Sequence, residues 1–241
     1  IKWIVTDETL LFKSLKSKKR DTRLLYQPHL LKRREGELKI VFRDRNLSDL
    51  IGFTYHSWKA ENAVADFISH LENINKTFQN EDSLVVIAMD GENAWEYYTN
   101  DGHDFLSLLY ARLSAADFIK TTTVSEYLET HRIKSEIKHL SAGSWIYGNF
   151  NKWMNNPCKA CAWDWLLAAR KELDNPDLGL ANEKLALAWK QIYILEGSDW
   201  FWWYGEDLDG SFDRLFRRHL SNFYTLIAKN PPDYLKNPLS P

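Results

Sequence analysis

The chain has little cysteine, and its two cysteines lie close together. Cys158 and Cys161 form a single CxxC among 241 residues, without a second CxxC or a nearby HxxxH. A structural zinc site needs four ligands, so this pair alone does not make one, and a thioredoxin-like strand is also missing before it. We expect ordinary packing at the start of a helix, and neither a metal nor a cofactor.

Long apolar runs and strong net charge are also missing. No segment approaches the roughly 18 apolar residues of a membrane-spanning helix, and we find no signal peptide. The net charge of -2 gives no reason to expect a nucleic-acid partner. We therefore expect a cytoplasmic protein. Because Ile1 enters directly as a strand without a Met, we also expect a piece of a longer protein.

The most informative stretch is LVVIAMDGENAWEYY, from Leu84 to Tyr98. Its six apolar residues, 84–89, have no helical period and predict a strand buried on both faces. Asp90 ends the run, and Gly91 allows a turn into a helix. Asp90 and Glu92 then stand at the carboxyl end of a parallel strand, the edge at which α/β proteins carry out chemistry.

Two interpretations of Asp90 remain open from spacing alone. Asp often caps the amino terminus of a helix, and that structural role is about as well supported as a catalytic one. The aromatic neighbours favour carbohydrate, because sugar rings stack on aromatic faces while carboxylates bind hydroxyls or donate protons. Trp95 is the nearest of these aromatic residues.

Three more segments resemble the strand at 84–89. Lys2–Thr6, Leu38–Phe42 and Phe118–Thr122 are short, and polar residues follow them, including Asp7–Glu8 and Arg43–Asp44. Helices or long crossovers separate the four, which favours parallel pairing. We predict an α/β fold with four parallel β/α units in residues 1–140. For residues 141–241 we predict a helical, Trp-rich region.

The second unusual stretch is GSDWFWWYGED, residues 197–207. Its consecutive aromatic side chains have too little polar alternation for a surface helix, so some must face a pocket or a partner. Asp199 is either a site residue or part of a helix cap. Binding is the favoured interpretation, with Trp200 beside Asp199.

These two stretches, together with FRDRNLSDLIGFTY and AGSWIYGNFNKWM, resemble the carboxyl-terminal half of the catalytic domain of glycoside hydrolase family 57. The resemblance runs from WIVTDE to FDRLFRRHL. It implies an enzyme acting on α-glucans, like the α-amylases, amylopullulanases, branching enzymes and 4-α-glucanotransferases of that family. It also implies an incomplete seven-stranded β/α barrel, of which this chain would form the second half, followed by helices that complete the sugar site.

The resemblance assigns roles to individual residues. Asp90 corresponds to the general acid/base, whereas Glu92 and Asp199 correspond to acids lining the sugar site, with Trp95 and Trp200 as aromatic neighbours. The family's HQP motif and glutamate nucleophile precede the WIVTDE strand and have no counterpart here. We therefore expect the chain alone to be inactive.

Two alternatives and one partner expectation follow. The chain is a non-catalytic carbohydrate-binding or structural fragment, or Glu8 supplies the second carboxyl of a self-sufficient enzyme. As substrate we expect an α-glucan or maltooligosaccharide. We also expect the Lys2–Thr6 strand to be an open sheet edge. The missing half of the domain, or self-association across that edge, would cover it.

Overall fold

The fold is described from a computed structural model of the chain. It describes residues 1–34, 36–79, 81–91, 95–175, 178–206 and 210–239. The chain divides into two compact units, Ile1–Gly148 and Asn149–Pro241.

The first unit is a mixed α/β fold built on a four-stranded sheet in the order β1-β3-β2-β4. β1 pairs in parallel with β3, β2 runs antiparallel to β3, and β2 pairs in parallel with β4. The strands are β1 (Trp3–Asp7), β2 (His29–Arg33), β3 (Gly36–Arg43) and β4 (Ser135–Glu136). In this sheet β1 is an outer strand, as expected of the Lys2–Thr6 segment.

The prediction of four parallel strands was wrong for two of the four segments, and one of the observed pairings, β2 with β3, is antiparallel. β1 and β3 match the expected segments, but the described residues of 84–89 and 118–122 form no regular strand. β2 and β4 take their place in the sheet. β2 pairs antiparallel with β3, the next strand in the chain, but it was missed because its sequence, HLLKR, carries two charges and lacks the apolar run typical of a strand.

The segment 84–89 is nevertheless attached to the sheet at separate points. The backbone N–H of Leu84 donates to the carbonyl of Tyr26 over 2.8 Å, and the N–H of Asp44 donates to the carbonyl of Val86 over 2.9 Å. Leu84 and Val86 pack against Val41 of β3, which is fully buried. The apolar run is therefore buried by the sheet, as its composition indicates, without a continuous ladder of hydrogen bonds.

Helices surround the sheet of the first unit. Several begin at a residue whose side chain caps the free backbone N–H groups, such as Asp7, Asp21, Asp44 and Thr123. The α-helices are α1 (Glu8–Ser14), α2 (Thr22–Leu25), α3 (Arg45–Asp49), α4 (Ala60–Phe78), α5 (His103–Ala115) and α6 (Val124–Thr130). The described part of this unit also contains a π-helix (Leu50–Thr54) and 3₁₀ turns at Tyr55–Ser57 and Thr99–Gly102.

The second unit is built from helices around an aromatic core. Phe201, Tyr204, Phe216, Leu220 and Phe223 are buried at its centre. Its helices are α7 (Asn151–Met154), α8 (Pro157–Glu172), α9 (Asn182–Leu195), α10 (Ser198–Trp203) and α11 (Ser211–Leu226), with a 3₁₀ turn at Asp233–Lys236. Across the described parts of both units, no helix has the length and apolar character needed to cross a bilayer.

Candidate functional site

A group of paired charges lies at the carboxyl edge of the sheet in the first unit. Asp7 and Arg43 are partners in the register of the parallel strands β1 and β3, so both strands end at this edge. Arg43 Nε donates to Asp7 Oδ2 over 3.0 Å, and Arg45 Nη2 donates to Asp7 Oδ1 over 2.6 Å. Asp7 is fully buried, so these two guanidinium groups compensate a carboxylate that has left water.

A second carboxylate, Asp44, is also buried at this edge. Its Oδ1 accepts the backbone N–H of Leu47 over 2.9 Å and thereby caps α3, while Oδ2 accepts hydrogen bonds from Tyr26 Oη and from Arg20 Nη2. Arg20 also reaches Glu8 Oε2 over 3.0 Å. Arg20 therefore joins two acids that follow neighbouring strands.

The adjacent carboxyls Asp7 and Glu8 are shifted in opposite directions. Burial acts to raise the pKa of Asp7, but the hydrogen bonds from Thr9, the charge of Arg45 and the hydrogen bond from Arg43 outweigh it and lower the pKa below its usual value. Burial raises the pKa of Glu8, and Arg20 offsets this only in part. Glu8 thus holds its proton more readily than an exposed glutamate.

A cleft of about 550 Å³ opens beside these residues. Its wall includes the polar side chains of Glu8, Arg20 and Asp44 at the sheet edge. α4 also contributes His70 and Asn73 to the lining of this cleft.

Asp90 stands at the end of the attached segment 84–90. Arg43 Nη1 donates to the carbonyl of Ala88 over 3.2 Å, two residues before Asp90, and the N–H of Ala88 donates to Ser48 Oγ over 3.2 Å. Asp90 is exposed. The prediction that a helix begins just after Gly91 was wrong, because residues 95–98 form turns and α5 begins only at His103.

The two other site residues predicted in this stretch have different outcomes. Glu92 lies outside the described residues. Trp95 is half-buried, with its ring 5.5 Å from that of Tyr98 and 6.4 Å from that of Phe105. A methyl group added at Gly102 would come within 2.8 Å of the Trp95 ring, so the backbone and this indole approach each other closely.

The acid predicted in the second stretch lies in the second unit. Asp199 is exposed in the first turn of α10. Trp200 is half-buried, its Nε1 donates to the carbonyl of Ile194 over 2.7 Å, and its ring meets that of Phe216 edge-on at 5.9 Å. Phe201 is buried and stacks on Trp163 at 3.7 Å.

A buried lysine fixes the end of this aromatic segment. Lys159 is only 3% exposed, and its Nζ donates to the carbonyls of Lys152 and Trp202 and to Glu206 Oε1 over 2.8, 3.3 and 3.1 Å. Lys152 Nζ reaches Glu206 Oε2 over 2.6 Å and lies 4.2 Å from the Trp202 ring centre. Hydrogen bonds from Lys152 are the main reason that the pKa of Glu206 is lowered.

Sequence reasoning identified only part of the charged edge. Asp7, Glu8, Arg43 and Asp44 were recognised as following strands, but Arg20 ends the basic run 16–20, and such runs usually form solvated loops. No local pattern signals that its side chain returns to the sheet edge. Each cysteine is a free thiol on α8, and Cys158 packs against the aromatic core. Among the described residues, no group of three or more potential metal ligands is present.

The fold and the charged edge are those of an α/β protein with its polar groups at the carboxyl ends of its strands. The family model for glycosyl hydrolase family 57 matches residues 1–139. The chain therefore belongs to this family. A search among proteins of curated function gave no significant match.

Solved structures with the same fold include enzymes of this family. A GH57-type branching enzyme from Pyrococcus horikoshii is 20% identical with a TM-score of 0.73, and the alignment covers 94% of this chain and 49% of that one. A 4-α-glucanotransferase from Thermococcus litoralis is 17% identical with a TM-score of 0.65, and the alignment covers 94% of this chain and 38% of that one. An α-amylase from Thermotoga maritima is 14% identical with a TM-score of 0.62, and the alignment covers 95% of this chain and 55% of that one. The chain thus spans about half the length of these structures or less.

Proposed function

We propose that this chain carries the general acid/base and part of the sugar site of a retaining enzyme that cleaves or transfers α-glucosidic bonds. The observation that carries the proposal is the attachment of the segment before Asp90 to the carboxyl edge of the sheet, through Arg43 and Ala88. Family membership supports the reaction class. The similar solved structures, a branching enzyme, a glucanotransferase and an amylase, suggest an α-glucan as substrate.

In this proposal Asp90 protonates the glycosidic oxygen as the bond breaks, and later removes a proton from the incoming water or sugar hydroxyl. A retaining enzyme needs a second carboxyl about 5–5.5 Å away as nucleophile. We propose that this nucleophile comes from a segment outside these 241 residues. The chain is then the second half of an incomplete seven-stranded barrel, with a helical region that completes the site.

The remaining site residues bind sugar in the proposal. Glu92 and Asp199 accept hydrogen bonds from hydroxyl groups, and Trp95 and Trp200 offer aromatic surface to the pyranose rings. We propose that Asp90 and Asp199 converge on one concave surface in the working enzyme. A crystal structure with a bound maltooligosaccharide tests this directly, and side chains on opposite faces of the fold would exclude it.

Asp90→Asn in the full-length protein tests the catalytic assignment. Loss of a general acid/base typically reduces the rate by 10²–10⁴-fold. We expect such a loss on α-glucans, with the circular-dichroism spectrum unchanged because Asp90 is exposed. Exposed Asp82, before the same segment, provides the control as Asp82→Asn and should retain full activity. Unchanged turnover in Asp90→Asn would remove the assignment.

A second candidate is a carbohydrate-binding fragment without catalysis. It is favoured by the share of the related structures that the chain covers, 49% for the branching enzyme. We expect the 241-residue chain alone to bind maltooligosaccharides weakly and not to hydrolyse them. Turnover by this chain, abolished by Asp90→Asn, would instead mean that both carboxyls lie within it, with Glu8 as the first candidate for the second one.

If the chain is half of a barrel, its outer strand β1 needs a pairing partner. β1 is an outer strand of the described sheet, and an open edge invites pairing with another chain. We propose that it pairs with the remainder of the domain or, in the isolated chain, with a second copy. Light scattering checks this, since a clean monomer of about 28 kDa would show that the edge is closed internally.

A further inference from the structure

A second, smaller recess adjoins the cleft at the charged edge. Its volume is about 360 Å³, and Glu8 and Arg20 line both the recess and the cleft. We call it the basic recess, because its lining includes the cations Lys13, Lys16, Lys18, Lys19 and Arg20. Five cations and one carboxylate therefore face a space many times larger than the roughly 30 Å³ that a water molecule occupies.

The positive charge of the basic recess is only partly compensated within the protein. Arg20 Nε lies 3.0 Å from Glu8 Oε2. Lys13 Nζ donates to the carbonyl of Gly148 over 2.7 Å, which satisfies one N–H but leaves its charge in place. In the described part of the chain, the lysines of the run 16–19 have no carboxylate within ion-pair distance. Like charges held together repel one another, and an anion bound among them would remove this repulsion.

The backbone that carries these lysines is held at the end of α1. The N–H of Lys16 donates to the carbonyl of Lys13 over 3.1 Å, and the N–H of Ser17 donates to the carbonyl of Phe12 over 2.9 Å. The two bonds form a Schellman motif with Lys16 in its left-handed position, at a φ of 54°. Ser17 Oγ also donates to the carbonyl of Lys19 over 2.8 Å. A bound anion therefore has only the lysine side chains to order.

The ion pair of Glu8 and Arg20 separates the basic recess from a space of different character. The adjoining cleft is lined by neutral hydroxyl and amide groups as well as charged ones, among them those of Thr22, Asn46 and Asn73. Such groups donate and accept hydrogen bonds and so suit the hydroxyls of a sugar. A ligand with hydroxyl groups at one end and a phosphate at the other would meet complementary side chains in both spaces.

We propose that the basic recess binds the phosphate group of a phosphorylated sugar whose ring lies in the adjoining cleft. The ammonium groups of Lys16, Lys18 and Lys19 donate to the phosphate oxygens, which accept strong charge-assisted hydrogen bonds. The phosphate part of this inference does not depend on the role of Asp90. The sugar part rests on the proposed function, which gives the enzyme a carbohydrate substrate.

Isothermal titration calorimetry of the 241-residue chain with glucose 6-phosphate, inorganic phosphate and glucose tests the inference. At about pH 7.5 the phosphate is mostly a dianion, and sodium chloride keeps the ionic strength constant. We expect glucose 6-phosphate to bind about tenfold more tightly than either of the other two. The triple variant Lys16→Gln/Lys18→Gln/Lys19→Gln should weaken this binding by about tenfold or more.

A matched control removes the same amount of charge elsewhere in the first unit. Lys59, Lys120 and Lys134 are exposed and lie outside the lining of the basic recess. The variant Lys59→Gln/Lys120→Gln/Lys134→Gln should therefore keep its affinity for glucose 6-phosphate within about twofold. Equal losses in the two triple variants would mean that net charge alone attracts the anion, and they would overturn the inference.

Lys16→Gly separates a loss of binding from a loss of folding. Glycine adopts the left-handed conformation of this position without strain, so the variant should unfold at the same temperature as the wild type or higher. It should nevertheless bind glucose 6-phosphate about threefold or more weakly, because one ammonium group is gone. Unchanged affinity in this variant would remove Lys16 from the site.

The remaining outcomes keep this inference apart from the proposed function. Inorganic phosphate binding as tightly as glucose 6-phosphate would overturn the sugar part, because the cleft would then contribute nothing. A wild-type chain that binds neither phosphate compound would overturn the inference as a whole. The proposed function would stand in both cases, because its own test is the activity of Asp90→Asn on α-glucans.

Discussion

The candidate residues of the two compact units are held in place by different interactions. At the edge of the first unit, Asp7, Arg43 and Asp44 are all buried. Arg43 is hydrogen-bonded to Asp7, and Asp44 accepts the backbone N–H of Leu47. In the second unit, α10 is held by stacked rings, such as Phe201 on Trp163, and Asp199 stays in solvent. Burial of charge is costly unless every partner is in place, whereas aromatic packing tolerates an exposed acid at its rim.

The difference has consequences for how each unit can be changed. The first unit depends on particular partners at its edge, and one of them, Arg43, also holds the segment before Asp90. The second unit depends on volume at its centre, although Lys159 and Asp213 are buried there with partners of their own. We therefore expect charge removal and cavity formation to affect the two units differently.

The largest expected effect is on the aromatic core of the second unit. Phe216 is fully buried and meets Trp200, Phe201 and Tyr204, so Phe216→Ala should lower the free energy of unfolding by about 3–5 kcal/mol. Leu215→Ala, at a 47% exposed position on the same helix, is the control and should cost less than about 1 kcal/mol. Urea unfolding followed by tryptophan fluorescence measures both. Equal losses would contradict the cavity account.

A slightly smaller loss is expected at the charged edge. Arg43→Met removes one of the two guanidinium partners of the buried Asp7 and should cost about 3 kcal/mol. Arg23→Met removes the exposed pair with Glu81 and should change stability by less than about 1 kcal/mol. Hydrogen exchange should also increase over residues 84–91 in the Arg43 variant. Protection unchanged there would show that Arg43 does not hold the segment before Asp90.

The opposite pKa shifts of Asp7 and Glu8 predict a pH dependence of stability. The folded state lowers the pKa of Asp7, so its stabilising contribution is present above the unfolded value of about 3.9 and declines as the pH falls through the folded pKa. The raised pKa of Glu8 acts in reverse, because its contribution is present below the unfolded pKa and declines as the pH rises through the folded one. Glu8→Gln removes this opposing contribution.

Unfolding free energies measured between pH 3 and pH 7 check this pair of effects. We expect the stability of Glu8→Gln to fall more steeply on acidification than that of the wild type. A shallower curve for Glu8→Gln would mean that the shift of Glu8 has the wrong sign.

The smallest expected effect on stability is at Asp199. Because this side chain is exposed in the first turn of α10, Asp199→Asn should change the free energy of unfolding by less than about 0.5 kcal/mol. It should weaken maltoheptaose binding, since the proposal gives it a sugar hydroxyl. A variant that binds as the wild type does would remove Asp199 from the site.

Features with a local cause were predictable from the sequence. The spacing predicts helices over 60–75 and 124–130, and α4 and α6 occupy Ala60–Phe78 and Val124–Thr130. α6 is capped by Thr123, whose side chain forms a capping box with Glu126. β1 and β3 were recognised because each is a short apolar run that ends in polar residues.

Features that depend on distant partners were not predictable. The stretch 84–89 has the composition of a buried strand. Whether it forms a continuous ladder of hydrogen bonds with β3 depends on which other segment pairs with β3, and in this fold β2 does so. The same applies to Arg20, whose charge suggests a loop and whose partners, Glu8 and Asp44, are fixed by the fold. The roles of Asp90, Glu92, Trp95, Asp199 and Trp200 remain predictions.

The central claim is that Asp90 acts as the general acid/base, and the dependence of its variant on the leaving group tests it most directly. A leaving group that needs no protonation makes the acid dispensable for the first step. In the full-length protein, Asp90→Asn should therefore lose about 10²–10⁴-fold in kcat/KM on maltooligosaccharides but much less on α-maltosyl fluoride. Equal losses on both substrates would contradict the assignment, because they would indicate that Asp90 contributes to binding or folding and not to proton transfer.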